Sequence, residues 1–76
     1  MEQIQAQLLN IYNGIITELQ QIDADHKAFL VEAQNWNNIP EQLVFERMAL
    51  ARDNQRRLQT AMIERELIES YNFQQL

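Results

Sequence analysis

The chain has no cysteine, one glycine (Gly14), one proline (Pro40), one histidine (His26) and one lysine (Lys27) in 76 residues. Without cysteine there is no disulfide framework and no thiolate zinc site. So little glycine and proline cannot supply the turns of a β-meander or an all-β barrel. No apolar run approaches the ~20 residues needed to span a bilayer. The opening segment MEQIQAQLLNIYNGII has neither a basic stretch nor an unbroken apolar stretch, so a secretory signal is not expected. The missing cysteines are compatible with a reducing cytosol.

Chemistry is equally sparse. No glycine-rich loop is present to cradle a phosphate. Thr17, Thr60 and Ser70 complete the aliphatic hydroxyls, and none has a base nearby in sequence. Glu64 with Glu66, and Asp23 with Asp25, are carboxylates two residues apart, and such residues do not face each other on a helix. Asp23 and His26 are three apart and share a helix face. A di-metal centre in a helix bundle needs paired Glu-x-x-His motifs and further inward-facing Glu, and here the motif is single. We therefore expect no enzyme, no metal, no cofactor and no small-molecule substrate.

What is present is helix-forming. Ala, Leu, Gln, Glu, Arg and Ile dominate, and most favour helices. The formal net charge is −5. Nucleic acid and anionic membranes reward a basic footprint, so neither is expected as a partner. Residues 1–38 hold five acids and one base, whereas residues 39–76 hold six acids and all five Arg.

In the first half, Ile4, Leu8, Ile11, Ile15, Leu19, Ile22, His26, Phe29, Ala33 and Trp36 recur at about 3.6 residues per step, the helical period. Leu9, Tyr12 and Ile16 form a shorter second stripe beside it. In the second half, Val44, Met48, Ala51, Gln55, Leu58 and Met62 alternate steps of four and three, the seam of a coiled coil. Leu67, Ile68 and Tyr71 extend it after a register shift.

Between the halves lies NWNNIPEQ, residues 35 to 42. A proline suits only the first turn of a helix and pushes the preceding residue out of the helical region. Asn38 and Glu41 have the spacing of a capping box. The spacing predicts helix one over about 2–35, a turn at 36–38, helix two over about 39–71, and a short tail at 72–76. A connection this short makes antiparallel neighbours. The expected fold is all-α: a coiled-coil-like antiparallel hairpin, with Trp36 covering the end of the seam. Facing residue numbers then add to about 74, which sets Arg56 and Arg57 near Glu18, Arg52 near Asp23, and Arg47 near Asp25 and Lys27. Asp53–Arg57 and Asp23–Lys27 are also i,i+4 pairs. Gly14 reads as a tolerated weak point or a close helix approach.

One seam between two helices cannot bury every apolar residue. With Leu19 and Val44 assigned to it, the off-seam candidates for a protein-binding surface are Leu9, Tyr12, Ile16, Leu43, Phe45 and Leu50. An exposed apolar surface of that extent marks a protein partner or self-association.

The segment PEQLVF, Pro40 to Phe45, opens the second helix of a short, acidic, cysteine-free hairpin. In that layout and in Pro40, Glu41, Gln42, Leu43 and Phe45 the chain resembles the small YscE/PscE-type co-chaperones of bacterial type III secretion systems. The resemblance implies a cytoplasmic protein that pairs with a larger tetratricopeptide-like chaperone and helps keep a needle subunit soluble. Departing from that pattern, the tail IESYNFQQL runs on and leaves Tyr71 and Phe73 without an assigned role. Two alternatives are a self-associating hairpin of the Rop type, in which two copies build a four-helix bundle, and a phage or plasmid accessory protein that binds a host enzyme.

Overall fold

The computed structural model describes residues 2–71. It contains two α-helices, α1 (Glu2–Ala33) and α2 (Glu41–Ser70), packed side by side as an antiparallel hairpin. The molecule is a rod of 60 × 14 × 12 Å. Its pairing matches the expected register. Gln5 meets Ile68, Tyr12 meets Glu64, Leu19 meets Asn54 and His26 meets Arg47, so facing numbers add to between 73 and 76.

Both helices end a little inside the sequence-based bounds. The chain leaves α1 through tightened turns, in which the N–H groups of Gln34, Asn35 and Trp36 donate to the carbonyls of Val31, Glu32 and Ala33 at 3.0–3.3 Å. Such i→i+3 bonds satisfy carbonyls that a helix end would otherwise orphan. At the start of α2 the expected Asn38 cap does not form. Pro40 occupies the cap position in an extended conformation (φ −63°, ψ 131°) with no side-chain cap bond, and its carbonyl accepts from Leu43 and Val44. The pyrrolidine ring fixes the φ needed there, and the backbone carbonyl replaces the side chain as acceptor. No described residue adopts a positive φ, which is why this turn needs no glycine. The expectations for 72–76 lie outside the described residues.

The seam differs from the expected one. On α1 the covered positions include Gln5, Leu9, Tyr12, Ile16, Leu19, Asp23, His26, Leu30 and Ala33, an unbroken alternation of steps of four and three. On α2 they include Val44, Arg47, Ala51, Asn54, Leu58, Ala61, Arg65 and Ile68, with the same alternation. Of the expected α1 stripe, Leu8, Leu19, His26, Phe29 and Ala33 are covered, whereas Trp36 is exposed and Ile4, Ile11, Ile15 and Ile22 are 40–57% exposed. On α2 the expected Val44, Ala51, Leu58 and Ile68 are covered, whereas Met48, Gln55, Met62, Leu67 and Tyr71 are exposed.

Small and polar residues explain the choice. Buried Ala33 and Ala61 add little bulk between the helices, and polar side chains cross the gap to satisfy one another. Asn54, buried at mid-seam, donates from Nδ2 to the Leu19 carbonyl at 3.0 Å. Gln5 Nε2 donates to the Ile68 carbonyl at 2.9 Å, and the Tyr12 hydroxyl donates to the Glu64 carboxylate. A buried polar residue that can be satisfied in only one alignment fixes register. At the turn end the Trp36 ring meets the Phe29 ring edge-on at 5.5 Å, and the Arg47 guanidinium lies 4.1 Å from the centre of the Phe29 ring. Trp36 remains 46% exposed beside Phe29 and is not buried over the end of the seam.

Gly14 has open space where a Cβ would stand, so no close approach requires it. In one urea-denaturation series, Gly14→Ala is expected to raise stability by up to about 1 kcal/mol. Asn54→Ala is expected to lower it by about 1 kcal/mol for the lost hydrogen bond.

Candidate protein-binding face

The heptad positions divide the hairpin into two sides. On α1 the residue preceding alternate seam residues is Leu8, Ile15, Ile22 and Phe29, each seven after the last. On α2 the same side carries Leu43, Leu50, Arg57 and Glu64, again seven apart. A shallow groove lined by Tyr12, Ile15, Arg57 and Glu64, among others, places the two sets on one side of the rod. Ile4, Ile11 and Trp36 widen this side, and all three are exposed. The result is an aliphatic face running almost the full length of α1, with Leu43 and Leu50 beside it at the turn end.

The opposite side is more polar. Its α1 positions are Ala6, Asn13, Gln20, Lys27 and Gln34, and its α2 positions include Met48, Gln55 and Met62. Grooves lined by Gln34, Val44 and Met48, and by Val44, Phe45 and Met48, lie here.

The six residues expected off the seam therefore separate into three groups. Leu9 and Tyr12 are half-buried and Ile16 is only 6% exposed, all in the seam. They are corrected from surface to interhelical positions, because the first half of α1 turns its second stripe toward α2, and the first stripe takes part in the seam through Leu19, His26 and Ala33. Leu43 and Leu50 lie on the aliphatic side at 42% and 58% exposure. Phe45, at 70%, is the most exposed of the six but borders the Met48 groove on the other side. The residues that reading missed are Ile4, Ile11, Ile15 and Ile22 on the surface and Arg47, Asn54, Ala61 and Arg65 in the seam. Strict alternation of four and three through Gln5, Asp23 and Asn54 was the available signal, and it was masked because those positions are polar.

Charges pair locally more than across the seam. The three ion pairs among the described residues are Asp23–Lys27 at 2.8 Å, Asp53–Arg57 at 3.2 Å and Arg65–Glu69 at 3.2 Å, all i,i+4. The first two match expectation. The cross-helix ion pairs expected of Arg47, Arg52, Arg56 and Arg57 do not form. Arg47 instead donates to His26 Nδ1 at 3.4 Å and covers Phe29. Exposed ion pairs of this kind contribute little to stability, so local pairing leaves alignment to the buried polar contacts.

The hydrogen bond from Lys27 is the main influence that holds the Asp23 carboxyl below its usual range; partial burial opposes it, while Gln55 Nε2, 3.4 Å away, and the nearby charges of Lys27 and His26 assist it. Donating to Glu64 raises the Tyr12 phenol above its usual value, assisted by partial burial and by the carboxylate charge. Asp23 and His26, the pair with metal-ligand spacing, are thus engaged with Lys27, Gln55 and Arg47. No group of three or more potential ligands gathers among the described residues. No described helix is long and apolar enough to cross a membrane.

Set against known protein families, characterised proteins and solved structures, the chain matches none of them.

Two outcomes follow from this geometry. Ile16→Glu forces a charge into the seam and is expected to remove most helical circular dichroism, while the adjacent Ile15→Glu should leave helicity nearly intact. Equal loss in both variants contradicts the assigned faces. Because Asp23 is held below its unfolded value, its contribution to stability is complete above the ordinary aspartate range and is lost as pH falls through its lowered folded value. Asp23→Asn is therefore expected to flatten the acid limb of a stability-versus-pH curve. An unchanged limb means that Asp23 does not contribute to it.

Proposed function

We propose that the chain is a non-enzymatic protein-binding module whose working surface is the aliphatic side of the hairpin. The observation that carries this reading is the continuity of that side: Ile4, Ile11, Ile15, Ile22, Leu43 and Leu50 are all 40–58% exposed on one flank of a 60 Å rod. Large contiguous apolar patches on soluble chains mark interaction sites. Helical partners fit such a surface because residues at i, i+3, i+4 and i+7 dock side by side into it.

The type III secretion resemblance gives this reading its most specific form. The hairpin then acts in the cytoplasm as a co-chaperone, covering an apolar groove of a larger helical chaperone that holds a needle subunit. Support comes from the hairpin layout and from Leu43 at the start of α2; Phe45, on the opposite side, lends none to this face. Such a role needs no cofactor, and Tyr12, Asp23 and His26 are already engaged in structural contacts.

Affinity purification of the tagged chain from its native cytoplasm, with Ile15→Glu and Leu50→Glu in parallel, tests the proposal. The wild-type chain is expected to retain a stoichiometric helical chaperone with its subunit, and the two variants to lose it while remaining helical. Retention by both variants would reject the face. Retention of nothing besides the chain itself would reject the co-chaperone role.

A further inference from the structure

We propose that in the free protein the aliphatic face is covered by a second copy of the same chain. Two hairpins would pack α1 against α1 with their turns at opposite ends. This rests on the reading that the face is the working surface, and it names the occupant before any other partner arrives.

Area supplies the first argument. The accessible surface is 6186 Å² for a mass of 9.1 kDa. A folded monomer of that mass exposes about 4,900 Å² by the usual size scaling. The surplus of roughly 1,300 Å² exceeds the ~800 Å² per partner that a standard stable interface buries. The chain's own core does not compensate, since the buried apolar residues among those described are Ile16, Ala33 and Ala61.

Spacing supplies the second. Leu8, Ile15, Ile22 and Phe29 are centred between residues 18 and 19. Helix α1, Glu2–Ala33, is centred between residues 17 and 18, and Asn54 joins Leu19 at the same level of the hairpin. A two-fold axis crossing α1 there sets Ile15 against Ile22 of the partner subunit and Leu8 against Phe29 of the partner subunit, with both rods overlapping along their whole length. An axis elsewhere breaks the pairing of these four.

Charge supplies the third. These four stripe positions carry none, and the like charge that two copies of α1 bring together is that of exposed Glu18, seven residues after Ile11 and beside the axis. The competing arrangement, with both turns at one end, stacks α1 on the partner's α2. It sets Ile15 and Leu8 against a strip that carries Arg57 and Glu64 and desolvates those charges without new partners, which is costly. In the arrangement proposed, α1 acquires a second neighbour, as each helix of a four-helix bundle has. This accounts for an α1 apolar arc wider than one seam.

The absence of cysteine makes the test direct, because introduced thiols are the only ones present. Chains carrying Ile15→Cys and chains carrying Ile22→Cys are mixed, refolded together and oxidised under mild conditions, and the wild-type chain is measured by light scattering with helicity followed in parallel. The proposal expects a helical wild-type species of twice 9.1 kDa. It also expects the mixed disulfide, joining an Ile15→Cys chain to an Ile22→Cys chain, to dominate over either disulfide between identical chains. Ile22→Glu is expected to weaken self-association by roughly a hundredfold or more. A monomeric wild-type chain, helical or not, overturns the proposal; if it is helical, the face remains free for a different protein. A dimer that cross-links preferentially through Ile15→Cys with Arg57→Cys overturns the arrangement. A dimer that cross-links through neither pair and resists Ile22→Glu overturns both the proposal and the assignment of this face.

Discussion

A hairpin gives each helix one neighbour, and α1 carries apolar residues for two. Every feature of the structure follows from how that conflict is resolved. The helix turns toward α2 the stripe that includes Gln5, Tyr12, Ile16, Asp23 and His26, and leaves Ile4, Ile11, Ile15 and Ile22 in water. Hydrophobic burial alone would favour the reverse. The choice is explained by what the chosen stripe meets on α2: small residues and hydrogen-bonding partners. Asn54 finds the Leu19 carbonyl, Tyr12 finds Glu64, and Gln5 finds the end of α2.

Such a seam specifies alignment more than it supplies stability. Each polar contact is satisfied in one register, and displacement of one helix by a turn would leave the buried Asn54 amide without its acceptor, at a cost of about 1–3 kcal/mol. Balance at the open end is less complete, because Arg65 Nε is buried without a hydrogen-bond partner while its Nη2 holds Glu69. Leu9, Ile16, Leu19 and Leu30 are covered in the seam, while Ile4, Ile11, Ile15 and Ile22 stay on the outer face. On the proposed function, hairpin closure and association use different sides of α1.

Much of this was legible in the sequence. The helical period, the break at Pro40 and the facing register depend on local chemistry and on chain geometry, and the structure has all three. Assignment of α1's faces was less legible. Two stripes one residue apart differ by only a ~100° rotation of the helix. Ranking them by apolar content selects the Ile4–Ile11–Ile15–Ile22 stripe, because a sequence does not reveal that Asn54 and the Leu19 carbonyl will satisfy each other. The same limit moved Leu9, Tyr12 and Ile16 inside and left Leu43, Phe45 and Leu50 outside. The Asn38 cap was misassigned for a related reason: a backbone carbonyl, that of Pro40, could do what a side chain was expected to do.

The central claim is that the Ile16 stripe closes the hairpin and the Ile15 stripe meets another molecule. Isotope-filtered nuclear Overhauser spectroscopy on an equal mixture of labelled and unlabelled chains tests it most directly, since it separates contacts within a chain from contacts between chains. The account predicts intrachain contacts from the Ile16 methyls to α2, and interchain contacts between the Ile15 and Ile22 methyls. Intrachain contacts from Ile15 and Ile22 to α2, with none from Ile16, would contradict it.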